Sequence, residues 1–169
     1  MKNHLSSYLF ISLLFLVEGC SSISGAANSS TVISFGGYYF SVPKSPDFIG
    51  ASANDSLIVS FNEHSKKAVF SLNNYKNFDD YNISAETFLS VVYGSTNTRN
   101  KALNLLKLGI AENELSREQL TQNNRIIYRI TYQTSEYAVV YNKAHPLFWV
   151  AIETTGIDMS NLMASLKEI

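Results

Sequence analysis

Arg125-Ile126-Ile127-Tyr128-Arg129-Ile130-Thr131-Tyr132-Gln133 is the stretch from which the fold can be read. Ile126, Tyr128, Ile130 and Tyr132 fall on one side of an extended chain, and Arg129, Thr131 and Gln133 on the other, because successive side chains of a strand point to opposite faces. After a turn at Thr134-Ser135-Glu136 the alternation resumes with Tyr137, Val139 and Tyr141. Beyond Lys143-Ala144-His145-Pro146 it returns in Phe148, Val150, Ile152 and Thr154. Period-two patterning with short connections predicts an antiparallel three-strand meander with one face buried.

Downstream, Asp158 can cap a helix whose Met159, Leu162, Met163, Leu166 and Ile169 form one apolar stripe suited to packing on a sheet, with Lys167 in its last turn. Upstream, Leu57, Val59 and Phe61 alternate, as do Ala68, Phe70 and Leu72, and Asn62-Glu63-His64-Ser65 between them predicts a hairpin. Ser84 can cap a helix presenting Phe88, Val91 and Val92, with Gly94 just past its end. Thr98 can start a second helix, with Ala102, Leu105 and Leu106 on its apolar face and Gly109 as its stop. Residues 111–122 fit a helical turn and an edge strand equally well. Residues 32–42 read as strand material broken at Gly36-Gly37 and ended by Pro43 and Pro46, with a loop on to Asp55. The fold class is therefore α+β: one domain over 32–169, an antiparallel sheet made of an N-terminal hairpin and a C-terminal meander, with helices packed on it and an amphipathic helix at the end.

Tyr39-Phe40-Ser41-Val42-Pro43 and Leu162-Met163-Ala164-Ser165-Leu166-Lys167 are similar to the opening and closing segments of the PsbP-like fold, and the order of elements between them resembles it. The resemblance spans most of residues 37–169. It implies an antiparallel sheet flanked by helices and carries no functional residues to transfer.

The N-terminus reads as an address. Tyr8 to Val17 is a ten-residue apolar or near-apolar run after Lys2, the length of an export-signal core and about half of what a spanning helix requires. Val17-Glu18-Gly19-Cys20 resembles the lipobox of bacterial lipoproteins, departing from it at Val17, where leucine is commonest, and at Glu18, where a small or apolar residue is usual. The resemblance implies a signal peptide over 1–19 and lipidation of Cys20, the single cysteine of the chain. Acyl chains there would anchor the protein to the membrane, each buried methylene contributing about 0.8 kcal/mol. Ser21 after the cysteine resembles the default routing to the outer membrane, on its periplasmic side; inner-membrane anchoring is the alternative. Cleavage after Ser24-Gly25-Ala26, releasing a soluble protein, is a further reading. Residues 20–31 read as a lipidated tether, and small polar residues over that length span roughly 17 to 20 Å as a flexible coil.

Removal of residues 1–19 leaves 150 residues, enough for one core. Hydrophobic residues at 46% against 16% charged place the chain among folded proteins rather than disordered ones. The formal net charge is −1, without the basic excess that nucleic-acid binding draws on, so no nucleic-acid partner is expected.

Catalytic and ligand motifs do not emerge. Glu63-His64 lies at a hairpin tip, where polar residues gather anyway. His145-Pro146 reads as loop, and Asp79-Asp80 as a turn before the Ser84 helix. No serine occupies a Gly-x-Ser-x-Gly elbow, Gly36-Gly37 lacks phosphate-loop spacing, and no His/Asp/Glu cluster has metal-ligand spacing. Tyr39, Tyr75, Tyr81, Tyr93 and Trp149 are candidates for exposed aromatics that could contact a protein. The expectation is a non-enzymatic, membrane-anchored protein-binding module without cofactor, one version being an immunity protein against a periplasm-delivered toxin. The alternatives are a carrier of a lipid or small apolar molecule and, with least support, a hydrolase using His64 or His145.

Overall fold

Two opposed demands shape the chain: its central strands are apolar on both faces, so each face needs a cover. A computed structural model describes residues 30–42, 46–52, 55–61 and 65–169. The expected signal peptide and lipobox, including Cys20, lie outside the described residues, as do most of the proposed tether, Pro43, Glu63 and His64.

Ten strands and three helices are described. The strands are β1 (Thr31–Phe35), β2 (Tyr38–Val42), β3 (Phe48–Ser52), β4 (Ser56–Phe61), β5 (Lys66–Asn74), β6 (Glu114–Gln122), β7 (Arg125–Tyr132), β8 (Glu136–Asn142), β9 (Phe148–Thr155) and β10 (Lys167–Glu168). The helices are α1 (Ala85–Val92), α2 (Lys101–Ala111) and α3 (Met159–Ala164), with a 3-10 turn at Tyr75–Tyr81. Seven strands form one sheet in the order β3-β4-β5-β9-β8-β7-β6, and β1-β2-β10 form a second. All pairings are antiparallel. The chain is an α+β single domain.

The meander forms as its alternation predicts, but it is buried on both faces. Ala138 and Val140 of β8, with Val150 and Ile152 of β9, join a core that includes Phe40 and Val42 of β2 and Met159 and Leu162 of α3. Val139, Tyr141 and Trp149 face the other way, into a core built with Phe88, Leu89 and Val92 of α1. The small sheet and α3 cover one face and the other helices cover the opposite one. Near-continuous apolar runs such as Ala138-Val139-Val140-Tyr141 are what double burial demands.

The β4–β5 hairpin pairs Leu57 with Phe70 and Val59 with Ala68. It joins the meander through β5 and β9, in a register running from Lys67–Thr155 to Asn74–Phe148. Gly36-Gly37 is a tight hairpin turn between β1 and β2, with φ of 58° and 84°. Positive φ at both turn residues is the condition for strands that continue the right-handed twist. Of residues 111–122, Ala111 ends the preceding helix, 112–113 turn with Asn113 at φ 62°, and Glu114–Gln122 form a strand.

Further expectations are corrected. The loop to Asp55 contains β3, paired with β4 from Phe48–Ser60 to Ser52–Ser56. Helix α2 is capped by Asn100, whose Oδ1 accepts from the Ala102 and Leu103 amides at 3.0 and 3.2 Å, not by Thr98. It buries Leu103 and leaves Leu105 and Leu106 exposed, and Gly109 lies within it. The last helix is capped by Asp158 but ends at Ala164: Ser165 Oγ donates to the Leu162 carbonyl at 2.7 Å and accepts from the Ser41 amide at 2.8 Å, and Lys167–Glu168 then pair with β2.

Candidate functional site

A cleft opens where the β1–β2 turn approaches the ends of β5, β8 and β9. Gly36 is required there twice over: its φ is positive, and an added Cβ would lie 2.4 Å from Val150 Cγ2. The turn therefore rests directly on β9. Leu72, Phe148, Trp149 and Val150 supply apolar walls, and Tyr38, Asn142, His145 and Glu168 bring polar groups around a cavity of about 450 Å³.

A bonded cluster holds one rim. Asn142, buried at the end of β8, donates from Nδ2 to Glu168 Oε1 at 3.1 Å, and its Oδ1 accepts from the Ala144 amide at 2.8 Å. Arg125 Nε stands 3.7 Å from the same Glu168 oxygen. Glu168 is opposite Tyr38 in the β10–β2 register. Burial raises the pKa of the Tyr38 hydroxyl and the Glu168 charge raises it further, while Arg125 and a hydrogen bond with Asn142 pull it back. Tyr38 is therefore a neutral hydroxyl at physiological pH. The Ile169 amide donates to the Gly37 carbonyl at 3.1 Å, closing the chain over the turn.

Apolar walls with a few placed polar groups suit non-covalent capture of a small molecule. His145 lies on this rim, 145 being an exposed position of the β8–β9 connection. Among the described residues, no three His, Cys, Asp or Glu side chains are grouped to hold a metal. Also among them, no helix is long and apolar enough to cross a membrane.

Of the five aromatics expected at the surface, Tyr39 is exposed, Tyr81 and Tyr93 are half-buried, and Tyr75 and Trp149 are buried. The 3-10 turn carries Phe78 beneath Trp149 and Phe88, at ring separations of 5.4 and 4.9 Å, so these aromatics hold α1 to the sheet. No local sequence pattern marks the cleft beyond Gly36-Gly37, because its walls come from 36–38, 72, 142, 145, 148–150 and 168–169.

A second exposed feature is β6, a terminal strand of the large sheet, hydrogen-bonded to β7 alone. A register shift between Glu114 and Ser116 leaves Ser116 to Gln122 as its regular portion. Leu115 and Leu120 are exposed along it.

Fold and surface together define an α+β domain with a ligand-sized cleft at the β1–β2 turn and a long open sheet edge at β6. No protein-family model and no curated protein matches the chain.

Proposed function

We propose that this protein is a lipid-anchored, non-enzymatic binding module, held through Cys20 on the periplasmic side of the bacterial outer membrane, that takes a protein partner along the open edge of β6. The observation that carries the reading is that edge: a nine-residue strand with neighbours on one side only. Unpaired backbone N–H and C=O groups of an edge strand offer hydrogen bonds to an incoming strand, and alternate side chains supply selectivity. Leu115 and Leu120 provide apolar contacts beside them. The lipobox resemblance at Val17-Glu18-Gly19-Cys20 supports the anchor, and the order of hairpin, helices, meander and closing segment supports a PsbP-like domain. An immunity protein that blocks a toxin delivered to the periplasm is one specific form of this reading.

The test pairs intact mass with site-specific crosslinking. The mature protein is expected to carry acyl chains, absent after Cys20→Ser. A photocrosslinker at Gln119 is expected to join one defined partner, and Leu120→Asp to abolish that adduct. An unacylated mature protein sinks the anchor. Failure of both Gln119 crosslinking and co-purification sinks the binding mode.

A second reading, carriage of a small apolar molecule, is favoured by the cleft. Its volume of about 450 Å³ lies within the range of small-molecule sites, roughly 300–1,000 Å³. Mass spectrometry of the protein under native conditions should then find a co-purifying small molecule, and Gly36→Val, which fills the turn against Val150, should lose it.

A further inference from the structure

Helix α2 presents its apolar face outward. Leu103 is buried and Ile110 packs on the core, whereas Leu105 is 69% and Leu108 66% exposed. Lys101, Leu105 and Leu108 follow one another at i, i+4 and i+7 on the side away from Leu103. Gly109 belongs to the same outward side, since an added Cβ there would meet nothing within 4 Å. Leu106 flanks the stripe at 39% exposure. A helix this short with one buried residue would ordinarily turn its leucines inward.

We propose that this face of α2 seats on the surface of an anionic lipid bilayer. Two observations select lipid. The first is charge: the helix carries Lys101 and Lys107 and no acid, Arg99 precedes it, and the nearest acid in sequence is Glu112, one residue past its end. Lys107 is turned to the Thr96 carbonyl at 2.9 Å, but Arg99 and Lys101 are exposed and have no carboxylate partner among the described residues. Leucines flanked by cations are the composition of helices that lie in the membrane interface, the apolar side among the acyl chains and the cations among anionic headgroups.

The second observation is reach, and here the proposal rests on the Cys20 anchor. Ten residue steps separate Cys20 from Ser30, where the described chain begins, and a polypeptide extends at most about 3.3–3.6 Å per residue. Ser30, the entry to the domain, is thus held within roughly 33–36 Å of the bilayer, and the domain stays beside it. At that effective concentration a face too small to bind from solution can stay seated. Docking would fix the orientation of the domain and so the direction in which β6 and the cleft face.

The experiment uses the full-length protein reconstituted in vesicles of phosphatidylethanolamine and phosphatidylglycerol. A nitroxide is placed at Leu108→Cys, with Gln122→Cys at the far end of β6 as the reference. Intact mass reports acylation separately, so failure of the anchor and failure of the face are told apart. The label at 108 is expected to be several-fold more accessible to oxygen and less accessible to a water-soluble nickel chelate than the label at 122. Leu105→Asp should abolish that difference, Gly109→Leu should enlarge it, and phosphatidylcholine vesicles should weaken it. Equal accessibility at 108 and 122 in an acylated protein overturns the proposal. So does protection of 108 that arises only in native membranes, because it assigns the face to a protein. An unacylated protein whose label at 108 is still protected on anionic vesicles retains the lipid face and removes the anchor.

Discussion

Asn142 Nδ2 donates to Glu168 Oε1 at 3.1 Å, tying the end of β8 to the last strand of the chain across the cleft rim. The two partners are unequal. Asn142 is 6% exposed and also serves the Ala144 amide, whereas the Glu168 side chain is half in solvent. Removing a buried, doubly bonded amide loses both bonds and leaves a gap at the end of β8, while removing an exposed carboxylate lets water take over. Asn142→Ala is therefore expected to cost about 2 kcal/mol and Glu168→Ala under about 1 kcal/mol. Urea titration of the two single variants and the double variant checks this. Equal single costs with no coupling would show that the bond contributes nothing.

Arg117 gives the second prediction. From β6 it reaches across to α1, its Nη1 donating to the Gly94 and Val92 carbonyls at 3.0 and 3.3 Å, while Nε and Nη2 donate to Glu114. The α1 C-terminus thus receives a cation where the helix dipole is negative and carbonyls are left unpaired. The Arg117 side chain is largely buried, so Arg117→Met should destabilise by roughly 2 kcal/mol. Hydrogen exchange should show the loss at the last turn of α1 and the start of β6. Unchanged protection at Tyr93 and Gly94 would refute the capping role.

Gly36 and Gly37 separate steric from conformational cost. Both have positive φ, but an added Cβ meets Val150 only at Gly36. A left-handed conformation costs a non-glycine residue about 1–2 kcal/mol. Gly37→Ala should lose about that much, and Gly36→Ala about 1–3 kcal/mol more, the ordinary cost of overpacking. Thermal unfolding of the two variants decides it; similar melting temperatures would contradict the contact with Val150.

How much of this was legible follows from which forces are local. The meander and the β4–β5 hairpin were readable because Ile126, Tyr128 and Ile130, or Leu57 and Val59, announce a strand by alternation alone. Strand β3 was hidden because Phe48-Ile49-Gly50-Ala51-Ser52 has a glycine at its centre, and its ladder depends on β4. The buried face of α2 is ambiguous in sequence because leucines at 103, 105, 106 and 108 mark two sides of a helix. Only the Asn100 cap and the packing of Leu103 choose between them. The C-terminal stripe continues to Ile169 in sequence, yet Ser165 ends the helix by bonding Ser41, 124 positions earlier. The cleft depends on the β5–β9 and β2–β10 registers, which no local pattern encodes.

Tyr128 supports the last prediction. It is almost wholly buried, and its hydroxyl has no hydrogen-bond partner among the described residues. Burial, with the nearby Glu86 charge and Tyr141, pushes its pKa up from 10.0 to about 12. A raised tyrosine pKa means that the unfolded chain ionises first as pH rises. The associated stability is fully present below pH 10 and is lost between there and about pH 12. A two-unit difference corresponds to roughly 3 kcal/mol. Tyr137 and Tyr93 are also shifted upward by burial, so the wild type should lose stability steeply in alkali. Tyr128→Phe removes one such contribution together with an unsatisfied buried hydroxyl, whose desolvation costs about 1–3 kcal/mol. The variant is expected to equal or exceed the wild type at pH 7, and to lose less stability between pH 7 and pH 11. Urea titrations at both pH values provide the check. A Tyr128→Phe protein clearly weaker at pH 7 would mean that the hydroxyl has a bonding partner, and the alkaline argument for Tyr128 would fall with it.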